Sequence, residues 1–423
     1  MLRTVYRGCK LFLRPENDGS GTLVINANAI LYLDKIATDY VRFFIEALNK
    51  PPILGGVENA VVRRVRRHYR VSAQDALKDW RQLHDQFMAV AEGVVCPFSD
   101  LAVNRVEPYS KEPVAPYRLD LALTYRCNNN CGHCYVGGSK EMPELTTDQW
   151  KEIITKAVEF GIPQLVFTGG ESILRPDLPE LLSHAEKLGV ITGLITNGRA
   201  LTAAKVKELA DAGLDYLQIT LESDDATIHD EMVGIKGAWQ ETVDGIKNAL
   251  PHIYITTNST ITQQNKDRIL PTIDFLHSIG VKKFGINAVI RAGRGTETAG
   301  VDPEELKEIL TKVMDKTIAN AQEFVWYTPT CYQQLNPVSM GLGIKSCSAA
   351  RITLAVEPDG NVMPCQSYFQ SMGNALTDDF VRIWQHPLGV KLRNHELAQP
   401  NCQHCDQFSL CGGGCPLEKG CHA

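Results

Sequence analysis

A chain of 423 residues, 44% hydrophobic and 22% charged, has the length for two or three domains and a large core, and its composition excludes disordered and fibrous classes. With 43 basic against 49 acidic residues the net charge is −6, which offers no broad attraction for nucleic acid or an anionic membrane. No apolar run approaches the roughly 18–20 residues of a membrane span, and the opening MLRTVYRGCKLFLRP scatters its charges without an apolar h-region, so no secretory signal is expected. Cysteine is the unusual feature: 13 in all, seven of them in the last 77 residues. An odd count in a large chain without an export signal points to metal ligation in a reducing cytosol, and so to a cytoplasmic protein.

Residues 1–95 carry one cysteine, Cys9. Residues 4–13 read as strand, the segment Asn17-Asp18-Gly19-Ser20-Gly21 as a turn, and residues 22–25 as a second strand. Helical periodicity follows over 37–48, 57–69 and 72–91, the last with Ser72 as N-cap. A hairpin feeding three helices is a winged-helix outline, and the run Arg63-Arg64-Val65-Arg66-Arg67-His68 on its middle helix would suit phosphate. Residues 96–116, with four prolines and no sustained period, read as a linker.

From 117 to 300 strands and helices alternate. Strands are expected over 118–125, 164–168, 190–196, 216–221, 252–260 and 282–288. Helices are expected between them: one from Thr146, capped by a Thr146/Gln149 box and stopped at Gly161, then 177–188, 202–212, 237–250 and 264–279. Six β/α units argue an α/β fold with a parallel sheet, doubly wound or a partial barrel, with its chemistry at the C-terminal strand ends. Residues 301–346 read as a bridging helical segment, and 347–423 as a cysteine-rich domain without long apolar elements.

The first core strand runs into Cys127-Asn128-Asn129-Asn130-Cys131-Gly132-His133-Cys134-Tyr135. Thiolates at C-x3-C-x2-C can hold three corners of a 4Fe–4S cube and leave the fourth iron open to an outside ligand. A zinc knuckle short of one ligand, or buried structural cysteines, would be the plainer reading. At the second strand end stand Gly169, Gly170 and Glu171, where glycines let a ligand approach the backbone and a carboxylate can accept from an ammonium group. Polar residues also close the next three strands: Thr196 and Asn197, Thr220 and Glu222, and Asn258. Arg291-Ala292-Gly293-Arg294-Gly295 follows the sixth. The tail holds Cys347, Cys365, Cys402, Cys405, Cys411, Cys415 and Cys421, too many for one cluster and suited to two; a pair of zinc ribbons is the alternative.

Over about residues 117–294 these motifs resemble the radical S-adenosylmethionine (SAM) enzymes. The resemblance implies a partial (β/α)6 barrel whose Cys127, Cys131 and Cys134 bind the SAM-anchoring cluster. Gly169, Gly170 and Glu171 would hold the methionine amino group, and Thr196, Asn197, Thr220, Glu222, Asn258 and Arg291 would supply ribose and carboxylate contacts. Ser172 stands where the family commonly has proline. The tail, with Gly373-Asn374-Ala375-Leu376 and Ile383-Trp384, resembles the SPASM extension and implies two auxiliary 4Fe–4S clusters. By that pattern Cys402, Cys405, Cys411 and Cys421 ligate the outer cluster and Cys347, Cys365 and Cys415 the inner one. The family's further inner cysteine falls on Gly341, which leaves Cys331 as the candidate or else an iron open to solvent or substrate. Cys9 and Cys96 read as structural thiols, and His133 is not counted as a ligand.

Residues 1–95 resemble, in pattern alone, the PqqD-like peptide-recognition domain, whose sheet edge takes on an extended leader peptide. The combination implies a maturase that oxidatively cross-links (C–C or C–S) a ribosomally made peptide, served by a flavodoxin or ferredoxin. A tetrapyrrole side-chain oxidase of the haem pathway and a sulfatase-type maturase use the same chemistry. An iron–sulfur DNA-binding regulator is the non-enzymatic alternative, and it leaves Gly169, Gly170 and Glu171 unexplained.

Overall fold

Short alternating runs build a small sheet at the N-terminus of the computed structural model, which describes residues 2–26, 29–51, 55–91 and 112–418. Strands β1 (Leu2–Tyr6), β2 (Cys9–Pro15), β3 (Gly21–Ile25) and β4 (Ala29–Leu33) pair antiparallel in sequence order. The expected strand over 4–13 is therefore two. Arg7 and Gly8 take positive φ (49° and 78°) and turn the chain so that Tyr6 pairs with Cys9. Arginine seldom adopts that region, so the turn carries no sequence signal. Three helices, α1 (Lys35–Leu48), α2 (Gly56–Tyr69) and α3 (Ala73–Ala91), cover the sheet and bury Phe44, Trp80 and Phe87. Ser72 caps α3 by accepting from the Asp75 N–H at 3.1 Å. Of the basic run on α2, Arg64 pairs with Glu46 at 2.5 Å and lies 4.3 Å over the Phe43 ring, so part of its charge is spent inside the unit.

The second sheet sets six parallel strands side by side in sequence order: β5 (Arg118–Thr124), β6 (Gln164–Gly169), β7 (Ile191–Thr196), β8 (Tyr216–Thr220), β9 (Tyr254–Ile261) and β10 (Lys283–Ala288). Right-handed crossovers between sequential strands put all helices on one face, which curls the sheet into a partial barrel rather than a doubly wound layer. Those helices are α4 (Thr147–Phe160), α5 (Leu178–Lys187), α6 (Ala203–Asp211), α7 (Ala226–Val233), α8 (Ala238–Ala249) and α9 (Ile269–Ser278); α10 (Pro303–Ala319) follows. The Thr146/Gln149 capping box is present at α4. The sheet extends at both edges, by β11 (Glu323–Trp326) beside β10, and by β12 (Thr353–Val356) beside β5 with β13 (Val362–Met363) antiparallel to it. Short helices α11 (Phe380–Trp384), α12 (Pro387–Arg393) and α13 (Phe408–Cys411) complete the tail. Among the described residues no helix is long and apolar enough to cross a membrane.

Along β5 the leucines Leu119, Leu121 and Leu123 pack into the helix-side core, which leaves Arg118 and Asp120 to the concave side. Arg118 interacts there with Tyr216 on β8 and with Tyr327 beyond β11, strands that are not its neighbours, so these side chains meet across the lumen. Tyr216 crosses β7 at Gly193, where a Cβ would stand 2.2 Å from its ring, and reaches Gln164 on β6 at 2.6 Å. Tyr327 crosses Gly285 in the same way, at 2.1 Å. The two tyrosines floor the barrel. Beneath them Phe12 and Val24 pack against Ile191 and Tyr216. Lys10 pairs with Glu186 and, at 2.9 Å, with Asp215. Arg14 donates to the Ala115 and Pro116 carbonyls (2.8 and 3.1 Å) and lies 4.1 Å over the Tyr117 ring. The N-terminal unit thus docks on the N-terminal ends of the barrel strands.

Candidate functional site

The cysteine loop opens at the other end, directly after β5. Burial, the larger cause, and the neighbouring thiols push Cys127 up to about 11 and Cys131 higher. Thiols so placed become thiolates only beside positive charge such as that of iron. The chain holds the loop firmly. Asn130 and Gly132 donate their N–H groups to the Val233 and Met232 carbonyls at the end of α7 (2.8 and 3.0 Å). Arg199 donates to the Asn128 carbonyl and to Asn129 Oδ1 (2.9 Å). Arg294 donates to Asn130 Oδ1 and the Cys131 carbonyl (2.6 and 3.1 Å), and its N–H bonds the Cys134 carbonyl at 3.0 Å. Arg291, expected near the cofactor, instead folds back on its own turn, donating to the Gly295 and Thr298 carbonyls (3.3 and 2.8 Å). The turn beginning at Gly293 carries the chain past the loop, and Arg294 is the arginine it presents there.

At the end of β6 the glycines answer to the chain before any ligand. A Cβ on Gly169 would stand 2.1 Å from the Thr124 carbonyl, and one on Gly170 2.4 Å from that of Arg126. Gly170 and Glu171 donate their N–H groups to those same two carbonyls (2.7 and 2.9 Å), seating the motif against the segment that leads to Cys127. Glu171 is buried and accepts from Ile173 N, Thr196 Oγ1 and Asn197 N (3.2, 3.0 and 2.8 Å). Burial nonetheless pushes its pKa up to about 6. Three of its four acceptor positions are filled, which leaves one for an incoming donor. Asn197 also ties β7 to the cysteine loop through Asn128 Oδ1 at 2.6 Å.

Thr220 on β8 pairs in register with Asn258 on β9. Asn258 donates to Asn287 at 2.6 Å, while its buried Oδ1 has no partner among the described residues. Glu222 accepts from Thr260 N at 2.7 Å with Oε2, and its Oε1 lies 3.0 Å from His133 Nε2 without hydrogen-bond alignment. The buried His229 Nε2 is likewise unpartnered among the described residues. Buried polar atoms are seldom left unsatisfied. Asn258 Oδ1 and His229 Nε2, open at these strand ends, fit a cofactor that brings hydroxyl, amino and carboxylate groups.

In the tail Cys347, Cys365 and Cys415 form one mutually interacting set. Cys402, Cys405 and Cys411 form another. Cys331, expected with the inner set, instead lines the same cavity as the outer three. The reason lies in the path of the chain: the Thr330 carbonyl receives the Cys411 thiol at 3.3 Å, which sets Cys331 beside the outer group. Cys421 and Cys96 lie outside the described residues, and Cys9 is a free thiol on β2. Among the described residues no three His, Cys, Asp or Glu side chains converge on a single-ion site. Three thiols per set is the chemistry of a cubane's corners. The cysteine loop and the inner set meet where Tyr135, next to Cys134, donates its hydroxyl to Oε1 of Gln366, next to Cys365, at 2.8 Å.

Residues 121–276 match the model of the radical SAM superfamily, and residues 347–406 that of the SPASM iron–sulfur cluster-binding domain. The chain therefore carries a radical SAM domain followed by a SPASM domain, and these imply a SAM-binding 4Fe–4S cluster, auxiliary clusters and SAM itself. Among particular proteins, it is similar to Streptococcus suis SuiB, solved bound to the precursor peptide SuiA, with a TM-score of 0.72 and 17% identity across 99% of this chain and 97% of that one. It is also similar to anSMEcpe, solved with AdoMet and the Cp18Cys peptide (TM-score 0.55, 16% identity, 73% of this chain and 91% of that one). A curated relative, the AdoMet-dependent heme synthase of Methanosarcina barkeri, is 28% identical over 317 residues, covering 71% of this chain and 91% of its own length. At these identities the solved structures bear on the fold.

Proposed function

We propose that this enzyme oxidatively cross-links a ribosomally made precursor peptide in the cytoplasm, with reducing equivalents from a flavodoxin or ferredoxin. The observation that carries the reading is the Tyr135–Gln366 contact, which puts the radical-cluster loop and the inner auxiliary set against one lumen. When bound, SAM and the clusters supply a 5′-deoxyadenosyl radical at one wall and an acceptor for the substrate's electron at the other. The chain does the rest. Cys127, Cys131 and Cys134 would hold the first cluster; Gly169, Gly170, Glu171, Thr196, Asn197, Thr220 and Asn258 would line the cofactor. Cys347, Cys365 and Cys415 would hold the inner cluster, and Cys402, Cys405 and Cys411, with Cys421, the outer one. The tyrosine floor and the docked N-terminal sheet close the lumen from below, which keeps water from a radical.

A peptide is supported by the edge of the N-terminal sheet. Among the described residues strand β4 pairs on one side only and leaves Ile30 and Tyr32 exposed (46% and 72%), a surface on which an extended chain can add a strand. The 28% identity to the heme synthase favours a tetrapyrrole as the second reading. A tetrapyrrole's propionates would call for free cations. Among the described residues Arg118 and Lys283, cations on the lumen face, are each paired, with Asp120 (2.5 Å) and Glu323 (3.1 Å).

Anaerobically reconstituted protein should carry roughly 11–12 iron per chain, the content of three clusters. Incubated with SAM, dithionite and a peptide from a short reading frame beside the gene, it should yield 5′-deoxyadenosine and a peptide lighter by two hydrogens. Cys127→Ala should abolish both while the auxiliary clusters persist. Turnover of a haem precursor with no change in the peptide would decide for the tetrapyrrole, and iron near four with stoichiometric zinc would remove the two-cluster tail.

A further inference from the structure

His133 stands between two cysteines of the loop, and its Nε2 lies 3.0 Å from Oε1 of Glu222, whose side chain has no solvent exposure. The carboxylate is fixed from behind: Oε2 takes the Thr260 N–H of β9 at 2.7 Å. The Glu222 N–H donates to Nδ1 of His229 on α7 at 3.2 Å. The same helix ends in the Met232 and Val233 carbonyls that receive Gly132 and Asn130, the residues flanking Cys131. Gly234 follows at a site where a Cβ would stand 2.6 Å from the Asn130 carbonyl. The Cys131–Cys134 turn is therefore held on one side by the end of α7 and on the other by Glu222.

A carboxylate removed from water is costly unless partnered, and among the described residues Oε1 of Glu222 forms its ion pair with His133. We propose that Glu222 is a positioning residue that acts through His133 to hold the cysteine turn in the shape a cluster requires, rather than a contact to the cofactor's ribose. The ribose hydroxyls then fall to Thr220 and Asn258, whose unpartnered Oδ1 is buried at the neighbouring strand end.

A latch and a cofactor contact respond differently to substitution. Removing either member of a latch strands the other, so the two single losses should be alike and the double loss no larger; independent roles would add. The test uses full-length chains, reconstituted anaerobically, carrying Glu222→Ala, His133→Ala, both, and Glu222→Gln. SAM affinity is read by equilibrium dialysis. The state of the cluster is read from the change that SAM induces in the EPR signal of reduced protein. Neither needs a peptide, so the outcome is independent of the substrate reading. Each alanine variant should lose roughly 10- to 100-fold in SAM affinity, the usual cost of removing a group that orients a metal ligand, along with the SAM-induced EPR change. The double variant should match the singles. Glu222→Gln, able to accept from Thr260 and donate to the imidazole, should recover most of the loss. A Glu222→Ala defect that His133→Ala does not share, or additive losses in the double variant, would overturn the latch. Should the alanine variants fail to fold, His133→Gln, whose amide can still donate to the carboxylate, should like Glu222→Gln stay near wild type while His133→Phe loses SAM affinity; equal losses in His133→Gln and His133→Phe would overturn the latch.

Discussion

Glu171 shows how much a single carboxyl group can be asked to do. Three donors from two strand ends stabilise its charged form, yet burial outweighs them and pushes its pKa up to about 6. Below the ordinary carboxylate pKa the folded and unfolded chains are both protonated here. Between that value and about 6 the folded chain keeps a proton that the unfolded chain has lost, so stability falls as pH rises through the window and then levels off. The shift corresponds to about 2 kcal/mol. Denaturant unfolding of the apo-protein at pH 4 and pH 7 should therefore show wild type losing about 2 kcal/mol more across the interval than Glu171→Gln; equal losses would show that the three donors prevail. The residue types at this site were readable from the sequence, but their division of labour was not. Gly169 and Gly170 look ligand-facing until the Thr124 and Arg126 carbonyls are seen against them. Arg294 sits in the same motif as Arg291, and only the turn at Gly293 decides which reaches the cysteine loop.

At the scale of strands and helices, alternation is the signal that worked. Strands and helices following one another from 117 to 300 gave six β/α units, and within β5 leucines facing the helices alternate with polar residues facing the lumen. The same period could have marked Asp120, Gln164 and Gln218 as lumen residues, because a parallel strand buried on both faces would read apolar throughout. Elements too short to show a period escaped it: β11 and β12 have four residues each and β13 two. The eight-residue α7, which the cysteine loop leans on, escapes it too. The floor offers a test of element packing. Gly193→Val would drive side-chain atoms into the Tyr216 ring and break its bond to Gln164. Overpacking of that kind costs about 1–3 kcal/mol. Thermal unfolding should show Gly193→Val well below wild type and Gly193→Val/Tyr216→Ala partly restored, since the second change removes the colliding ring. No gain in the double variant would mean that the glycine serves the backbone rather than the tyrosine.

The largest feature hidden from the sequence is where the N-terminal unit sits, because its contacts join residues far apart: Lys10 with Asp215, Arg14 with Pro116. It docks on the N-terminal ends of the strands, whereas the cysteine loop and the strand-end residues lie at the C-terminal ends. If the peptide is held along β4, as proposed, it must climb the barrel before its modified residue meets the radical. A six-residue strand such as β6 spans about 20 Å at roughly 3.3 Å per residue. An extended peptide therefore needs at least about six residues for the height alone, and more to pass the rim. Precursors with the stretch between leader and modified residue shortened stepwise should keep their affinity for the enzyme, read by fluorescence anisotropy. Modification, read by mass spectrometry, should collapse once the spacer falls below that length. Tyr32→Asp on β4 should do the reverse, weakening binding while leaving SAM cleavage intact; it is a cleaner probe than deleting the unit, which would also bare Ile191 and Tyr216 beneath the floor. Full modification with no spacer at all would show that the leader is held elsewhere, nearer the mouth of the barrel.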